Sequence, residues 1–563
     1  MQYTKIVIDA LLPIVGDHLT ETEIKTLIEI PSDSNFGDLA FPAFTLAKIY
    51  RKSPQEIAEN IAGEIDKKKF DSVTAIGPYV NFKYNRKYVS NQVMNKIVTE
   101  NSNYGSVDIG KGRNVPIDMS SPNIAKPMSM GHLRSTVIGN AIGNLLEKLN
   151  YKPIRINHLG DWGTQFGKLI VAYQKWGDEE AVKQDPVNEL VKLYIDFHEK
   201  AERDPILEDE ARNVFKKLEE GDKEIYALWS WFKEESIKEF NKIYDTLGIK
   251  FDSYKGESFY NDKMQEVLAE LEEKEISIIE NGATIVRLDE EGLPPALIKK
   301  SDGATLYLTR DLATAYYRKR QFDFAASLYV VGNEQTNHFK QLKAVLKRLD
   351  RDWYTEMHHI PFGLITLGGE KLSTRKGKII LLEDVLSEAV NLAYEQITEK
   401  NPGLKNKSEV SRKVGVGAVI FHDLKKERLN SFDFKLEEIV QFEGETGPYV
   451  QYAYVRCRSL LEKYTDKVVK DTIFELEDDY SWEIVKKLQS YEKVIKQAAE
   501  NYEPSILTKY IIQLAQGFNK YYAKTRILEQ DNQLESRIAL IEATSIVLKD
   551  GLNILGIEVP EKM

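Results

Sequence analysis

Short apolar segments alternate with helical segments from residue 113 onward, and this alternation restricts the fold more than any other feature of the chain. The segment "RNVPIDMS" precedes a helical pattern from about Gly131 to Leu149, and "KPIRINHL" precedes another helix after "GDWGTQ". Apolar residues of the first helix recur at three- and four-residue steps, at Ile138, Ile142, Leu145 and Leu149. Strands that alternate with helices pair in parallel, so the sequence predicts a Rossmann-like α/β sheet.

Three domains follow from where this pattern starts, pauses and stops. Residues 1–110 mix helical patterns with a strand-like segment, which predicts an α+β domain. Residues 111–405 form the predicted Rossmann-like domain, which charge-rich helical sequence interrupts around 176–300. Strand signals mostly vanish after residue 405, so 406–563 are predicted to be an all-α domain.

Composition narrows the class of protein. A chain of 563 residues exceeds what one hydrophobic core usually organises. Its single cysteine, Cys457, cannot form an intramolecular disulfide, and no apolar run is long enough for a membrane helix. A cytoplasmic enzyme that does not enter a membrane is therefore expected. The net charge of -11 slightly disfavours a dedicated non-specific nucleic-acid binder but leaves a local basic groove open.

The stretch "SSPNIAKPMSMGHLRS", residues 120–135, connects the first strand to its helix. This is the crevice where open α/β sheets bind nucleotides. Gly131 allows close approach of a ligand, His132 can donate to phosphate oxygens, and Lys126 can neutralise charge. Alternatively, the prolines and Gly131 only shape a turn and His132 caps the helix.

A second motif, "GGEKLSTRKGK" at residues 368–378, is a glycine-flanked basic loop. By itself such a loop is most often a solvated surface turn. Together with "GH", it resembles the two signature motifs of class I aminoacyl-tRNA synthetases. The pair is far more specific than either motif alone.

Further segments narrow the resemblance to arginyl-tRNA synthetases of the bacterial type. These are "SSPNIAKPMSMGHLRST", "NHLGDWGTQFG", "LYLTRDLATAYYR", "KLSTRKG" and "FEGETGPYVQYA", in that family's order. The segment "NFGDLAFPAFTLAK" resembles the family's additional N-terminal tRNA-binding domain, and "GLNILGIEVPEKM" resembles the end of its anticodon-binding domain. The resemblance implies that arginine and ATP form arginyl-adenylate and that arginine is then transferred to tRNA(Arg).

The resemblance also implies an arginine site. A planar guanidinium needs carboxylates with paired oxygens, and Asp118 and Asp311 take that role by similarity, with Tyr307 beside the head group. Asp311 follows Thr309, a candidate N-cap, although an acid in the first turn of a helix also serves the helix dipole. The positions that match the family's contacts to the substrate amino and carboxylate groups are Ser120, Asn123 and Gln335.

By the same resemblance, ATP lies between the two motifs, accompanied by Mg²⁺ as its counter-ion. The implied ATP-binding residues are Ser129, Gly131, His132, Lys371, Leu372, Ser373 and Lys376. The implied catalytic residues are Lys126, His132, Lys371, Ser373 and Arg375. His158 and Asp161 could hint at a metal, but no third ligand is visible, so no metal site is predicted and loop-shaping hydrogen bonds are expected.

Two residues depart from the family pattern. Ser129 replaces the first histidine, and Thr374 replaces the second lysine of the basic loop. Arginyl-tRNA synthetases often lack that lysine and need bound tRNA before they activate arginine. The resemblance therefore implies tRNA-dependent activation.

Aromatic and basic residues alternate in two helical segments of the third domain, a mixture suited to stacking on unpaired bases beside phosphates. The predicted tRNA-binding residues are Tyr449, Gln451, Tyr452, Arg456, Tyr521 and Arg526. In an amphipathic helix such aromatic residues also commonly face the core, and this alternative stays open.

Two other functions stay open at this stage. One is a nucleotidyltransferase or amino-acid ligase that acts on small molecules, which would have little use for the flanking domains. The other is an inactive, tRNA-binding regulator, for which Ser129 is the only indication. A monomer is the family expectation.

Overall fold

The computed structural model describes residues 2–301, 305–367, 370–371, 380–464 and 473–563. Its first unit contains helices α1 to α5 and strands β1 to β3. In chain order these are α1 (Gln2–Val15), α2 (Glu21–Leu27), β1 (Leu39–Pro42), α3 (Ala47–Tyr50), α4 (Pro54–Glu64), β2 (Phe70–Ile76), β3 (Tyr79–Tyr84) and α5 (Arg86–Glu100). The strands form an antiparallel sheet in the order β1-β3-β2, in agreement with the predicted α+β unit.

Local sequence explains where several of these helices begin. The Thr20 side chain accepts a hydrogen bond from the Glu23 backbone, and the Glu23 side chain accepts one in return, which is a capping box. At the start of α4, the Ser53 side chain accepts a hydrogen bond from the Glu56 backbone, with Pro54 in the first turn.

The middle of the chain builds the parallel sheet and the insertion. The elements before the insertion sheet are β4 (Asn114–Asp118), α6 (Gly131–Lys148), β5 (Lys152–Ile156), α7 (Gln165–Trp176), α8 (Glu179–Gln184), α9 (Pro186–Ala201), α10 (Ile206–Glu219), α11 (Lys223–Leu247) and α12 (Met264–Glu273). Those that follow are β6 (Ser277–Glu280), β7 (Ala283–Val286), β8 (Ala296–Lys299), α13 (Tyr307–Phe322), β9 (Ser327–Tyr329), α14 (Thr336–Arg348), β10 (Met357–His359), β11 (Ile365–Leu367) and β12 (Glu370–Lys371).

The four-stranded sheet has the order β10-β9-β4-β5, and all its strand pairs are parallel. The predicted Rossmann-like sheet is confirmed. The chain runs from β4 outward to β5 and then crosses back to β9 on the other side of β4. Such a switch point opens a crevice at the carboxyl ends of the two strands, where Asp118 ends β4.

The insertion differs in one respect from its predicted helical character. Helices α8 to α12 are present, but β6, β7 and β8 add a small antiparallel sheet. The short, charged "EKEISIIENGATIVRLDEEG" segment gave too weak an alternation to indicate strands, because this sheet is largely exposed on β6.

The remainder of the chain is helical apart from one short strand. Its elements are α15 (Leu382–Lys400), α16 (Lys407–Lys425), β13 (Phe432–Asp433), α17 (Leu436–Ile439), α18 (Gly447–Lys463), α19 (Asp479–Glu500), α20 (Pro504–Lys524) and α21 (Leu534–Ile554). Strand β13 pairs in parallel with β11, so the helical region is joined to the segment that precedes the basic motif. Within the ranges above, every helix is too short or too polar to cross a membrane.

Candidate active site

The loop that joins β4 to α6 is held in an unusual backbone conformation. Ser120, Ser121 and Ala125 have φ angles of 71°, 51° and 58°, a region that residues other than glycine rarely adopt. Three left-handed residues within six positions are costly and persist only where surrounding contacts impose them. Here the Ser120 amide donates to Ser135 Oγ, and the Ala125 amide donates to Ser236 Oγ. Such clusters of strain are typical of ligand sites.

Gly160, in the next loop, packs closely against this strained segment. The Gly160 amide donates to the Pro122 carbonyl at 3.1 Å, and the Ile124 amide donates to the Gly160 carbonyl. A Cβ atom at Gly160 would lie 1.9 Å from Asn123 Oδ1, so no larger residue fits without displacing Asn123. This explains structurally why the "HLGDWG" segment lies beside the first motif.

Asp118 does not lie free at the end of β4. Its Oδ2 accepts a hydrogen bond from Arg318 Nη2 at 2.8 Å, and its Oδ1 accepts one from Ser121 Oγ at 3.0 Å. Arg318 has no exposed side-chain surface. Burial opposes the charged form of Arg318, but the neighbouring Asp118 raises its pKa above the ordinary value. Arg318 was not predicted as this partner from the sequence, although it follows Asp311 by seven residues and so shares its helix face.

Asp311 lies one turn into α13, after Tyr307, whose side chain is mostly exposed. Its Oδ2 is 2.6 Å from His338 Nε2 on α14, and about 29% of the Asp311 side chain is exposed. Thr309 is not the N-cap: α13 begins at Tyr307, and Thr309 is buried in its first turn, where it donates to the Ile298 carbonyl. The predicted cap is therefore wrong, because the helix begins at Tyr307, three residues earlier than a cap at Thr309 would place its start.

The charges of Asp118 and Asp311 both act on the partly buried imidazole of His158. Burial lowers the pKa of His158, and the negative charges of Asp118 and Asp311 oppose that shift. The same two charges act on the buried Tyr329 hydroxyl at the end of β9. Asp118 and Asp311 are 193 positions apart in the chain, but Arg318, which pairs with Asp118, lies on the same helix α13 as Asp311.

The remaining predicted arginine-site residues differ in accessibility. Asn123 and Gln335 are exposed, and Gln335 ends a 3-10 turn before α14. The Ser120 hydroxyl is buried, 2.8 Å from the Tyr244 hydroxyl, and accepts a hydrogen bond from Thr136. Ser120 therefore supports the loop through its side chain.

The first signature motif is joined directly to the chain that follows the basic motif. The Met130 amide donates to the Ile380 carbonyl at 3.1 Å, and the Leu382 amide donates to the Met128 carbonyl at 2.9 Å. Ser129 therefore forms an antiparallel bridge with Leu381. The residues that follow the basic motif in the chain therefore contact the first motif directly.

Ser129, just before α6, and His132, in the first turn of α6, form a local pair. The Ser129 amide is 3.1 Å and its Oγ 3.2 Å from His132 Nδ1. Burial lowers the pKa of His132, and the backbone hydrogen bond at Ser129 partly offsets the shift. Lys126 is exposed, with Nζ 5.9 Å from the Tyr194 ring centre. Gly131 is exposed beside Ser129.

Part of the predicted ATP site lies outside the described residues. These positions are Leu372, Ser373, Thr374, Arg375 and Lys376. Lys371 is described only as the second residue of β12, which pairs with β11.

A cavity of about 670 Å³ is lined by Arg310, which immediately precedes Asp311 in the chain. Trp162, Trp229 and Phe259 supply aromatic walls. The charged residues of the lining are Lys233, Arg310, Glu219 and Glu234.

Asp161, weighed above as a metal ligand, is fully buried. It accepts hydrogen bonds from Lys233 Nζ, the Ser258 amide and Ser258 Oγ. This confirms its predicted loop-shaping role. Among the described residues, no group of three metal-ligating side chains is present.

Some of the predicted tRNA-binding residues lie at the surface, and others lie in the core. Tyr449, Tyr452 and Arg456 of α18, called the α18 patch below, line one cavity of about 490 Å³. The Arg456 guanidinium lies 4.7 Å from the ring centres of both Tyr452 and Tyr522. Arg526 is exposed.

The prediction that Gln451 and Tyr521 bind tRNA at the surface is wrong, because both side chains are fully buried. Gln451 Nε2 donates to the carbonyls of Lys413 and Glu558, and Tyr521 lies in the helical core. Both residues occupy the inward face of an amphipathic helix, where aromatic and amide groups pack against neighbouring helices.

The parallel sheet with its split signature motifs defines a class I aminoacyl-tRNA synthetase. Residues 92–436 match the model of the class I (R) catalytic domain. Residues 1–84 match the arginyl-tRNA synthetase N-terminal domain, and residues 450–563 match the DALR anticodon-binding domain. The chain belongs to the arginyl-tRNA synthetase family.

Relatives agree over the full length. The arginine–tRNA ligase of Enterococcus faecalis is 61% identical, and that of Ligilactobacillus salivarius is 56% identical, each over all of both chains. The arginyl-tRNA synthetase structure from Thermus thermophilus is 23% identical, covers all of both chains and has a TM-score of 0.82. The structure from Plasmodium falciparum is 24% identical, covers 100% of this chain and 99% of its own, and has a TM-score of 0.80.

Proposed function

We propose that this chain is an arginine–tRNA ligase. It activates L-arginine with ATP to arginyl-adenylate, releases pyrophosphate, transfers arginine to the 3′ end of tRNA(Arg) and releases AMP. The single observation that supports the substrate assignment is that Asp118, at the end of β4, pairs with Arg318 of α13, the helix that also carries Asp311, and that both carboxylates act electrostatically on His158. The family membership of the chain supports the same reaction.

Asp311 and Tyr307 bind the substrate guanidinium in this proposal. Asp311 is partly exposed, and among the described residues its side chain bonds only to His338, through Oδ2, so its Oδ1 can accept a hydrogen bond from the substrate cation. Asp118 is already paired with Arg318, which fixes the orientation of its carboxylate. Its remaining lone pairs face the substrate cation, while Asn123 and Gln335 approach the amino and carboxylate groups. Ser120 contributes through its backbone and the loop that it stabilises.

ATP binds between the joined motifs. Ser129, Gly131 and His132 contact it at the start of α6, with Lys126 nearby. From the basic loop, the contacts are made by Lys371, Leu372, Ser373, Arg375 and Lys376. Mg²⁺ accompanies ATP as a phosphate counter-ion.

The chemistry needs no nucleophilic side chain. The arginine carboxylate attacks the α-phosphorus in line, the bond to the pyrophosphate oxygen breaks, and pyrophosphate leaves. A carboxylate is already a nucleophile, so catalysis consists of positioning the reactants and stabilising phosphate charge with cations. A His132 imidazole kept neutral by burial contributes as a hydrogen-bond donor through its nitrogen.

tRNA approaches from two directions in this proposal. The α18 patch and Arg526 contact the anticodon region, since exposed tyrosine rings beside an arginine stack on unpaired bases. The aromatic cavity that Trp162, Trp229 and Arg310 line receives the terminal nucleotide, because its ribose must reach the activated carboxyl group. The protein acts in the cytoplasm as a monomer.

Charging of total tRNA with labelled arginine tests the function. We expect label from arginine to appear in acid-precipitable tRNA, and we expect its appearance to require ATP. Label on a small acceptor would indicate a small-molecule ligase, and tRNA binding without charging would indicate a regulator. Lysine and citrulline serve as controls, because neither offers the planar cation that two carboxylates select.

A further inference from the structure

A buried arginine follows the first signature motif by two residues. Arg134, in α6, has about 1% of its side chain exposed. Its Nη1 donates to the carbonyls of Gly363 at 2.9 Å and Asn430 at 3.0 Å. Its Nε lies 3.2 Å from Oδ2 of Asp423 in α16, which is equally buried. One guanidinium therefore connects three separate segments to the helix that carries His132.

Two aromatic rings hold this guanidinium in place. Its central carbon lies 5.0 Å from the ring centre of Phe432 and 5.8 Å from that of Phe362. Phe432 belongs to β13, and Phe362 precedes β11. A planar, delocalised cation can stack on rings and bridge several acceptors at once, whereas an ammonium cannot.

The position of these partners relates Arg134 to the ATP site. Gly363 lies two residues before β11, after which the chain continues to β12 and the basic motif. The chain returns at Ile380, whose carbonyl accepts from the Met130 amide. Both ends of the segment that carries the basic motif are thus attached to the first motif and its helix, one by backbone bonds and the other by Arg134.

Stability alone does not explain a charged pair at this depth. Burial raises the pKa of Asp423, and the charge of Arg134 opposes that rise. Taking two ions out of water is costly, and apolar residues of similar volume often stabilise a protein as well or better. What the pair supplies is a fixed geometry between several elements.

Asp423 extends the connection to the helix of the α18 patch. Helix α16 approaches α18 closely, since a Cβ atom at Gly447 would lie 3.0 Å from the Gly417 carbonyl oxygen. Gln451 of α18 also donates to the Lys413 carbonyl of α16. The orientation of α16 therefore fixes Asp423 relative to α18.

We propose that Arg134 is a positioning residue for ATP: its guanidinium sets the spacing between the "GH" turn and the strand that enters the basic motif, with Asp423 fixing that guanidinium. The proposal rests on the proposed use of ATP by this site. It assigns no contact between Arg134 and substrate.

The test compares Arg134→Lys with Arg537→Lys in the full-length protein. Arg537 lies in helix α21, away from both motifs. It is a matched control because its side chain is also buried and donates to two backbone carbonyls, those of Ile527 and Glu529. Aminoacylation is measured at saturating tRNA while ATP and arginine are varied in turn. We expect Arg134→Lys to raise KM for ATP about tenfold and to change KM for arginine less than twofold. Arg537→Lys is expected to change neither.

Equal increases in both KM values, or no change in KM for ATP, would overturn the positioning role. If Arg134→Lys does not fold, Asp423→Asn carries the test, because it keeps the shape and removes only the charge. Direct measurement of ATP binding to the wild-type protein and to each variant distinguishes a failure of the positioning role of Arg134 from a failure of the proposed arginine–tRNA ligase function. Tight ATP binding that weakens only in the Arg134 and Asp423 variants supports this inference even if arginine is not charged to tRNA.

Discussion

Neutralising Asp311 is the most informative single substitution in the proposed arginine pocket. Asp311→Asn keeps the shape of the side chain and removes the charge that is proposed to meet the substrate guanidinium. Two unit charges about 3 Å apart interact by roughly 5 kcal/mol at an effective dielectric constant of about 20. About 29% of the Asp311 side chain is exposed, and His338 competes for Oδ2, so both effects reduce the interaction.

We therefore expect a loss of about 2 to 3 kcal/mol of transition-state stabilisation, or roughly 30- to 150-fold in kcat/KM for arginine. The assay is steady-state aminoacylation with arginine varied at saturating ATP and tRNA. KM for ATP should stay within twofold. Asp550→Asn is the control, since Asp550 of α21 is a partly buried acid that pairs with Lys148 at the end of α6. A wild-type kcat/KM for arginine in Asp311→Asn would refute the assignment of this carboxylate to the guanidinium.

Four further outcomes are expected. Arg318→Met leaves Asp118 as an unpaired buried charge and should cost about 3 to 5 kcal/mol in denaturant unfolding; adding Asp118→Asn should restore much of that stability but not KM for arginine. Arg456→Ala should raise KM for tRNA about tenfold without changing KM for arginine, and an unchanged KM for tRNA would remove the α18 patch from the interface. Burial lowers the pKa of His422 to about 4, so the native state binds fewer protons than the unfolded state and stability should fall by up to about 3 kcal/mol from pH 6.5 to pH 4. His422→Gln should flatten that pH dependence in thermal unfolding. Pyrophosphate exchange should be slow without tRNA, since Thr374 replaces a lysine, and brisk exchange would contradict this expectation.

Local patterns predicted the elements that form the site, because they depend on neighbouring residues. The apolar run before Asp118 and the three- and four-residue spacing after Gly131 correspond to β4 and α6 as observed. The N-cap at Thr309 failed because the helix start depends on contacts with β8 rather than on one hydroxyl. Tertiary packing decided that case.

The partners of site residues were harder to predict than the residues themselves. Arg318 pairs with an acid 200 positions earlier, and no local pattern reports such a distance. Helix spacing offered a signal, since Tyr307, Asp311 and Arg318 share one face of α13. Arg134 gave a similar signal as a charged residue within an apolar helix. Only the fold shows which acids these arginines meet.

The central claim is that two acids from distant segments enclose the cationic group of arginine. A crystal structure of the full chain with L-arginine and a non-hydrolysable ATP analogue tests it most directly. We predict a guanidinium nitrogen of the bound arginine about 3 Å from an Asp311 oxygen. The Asp118 carboxylate should contact the same guanidinium while it stays paired with Arg318. Arginine bound with neither carboxylate within hydrogen-bond distance would contradict it.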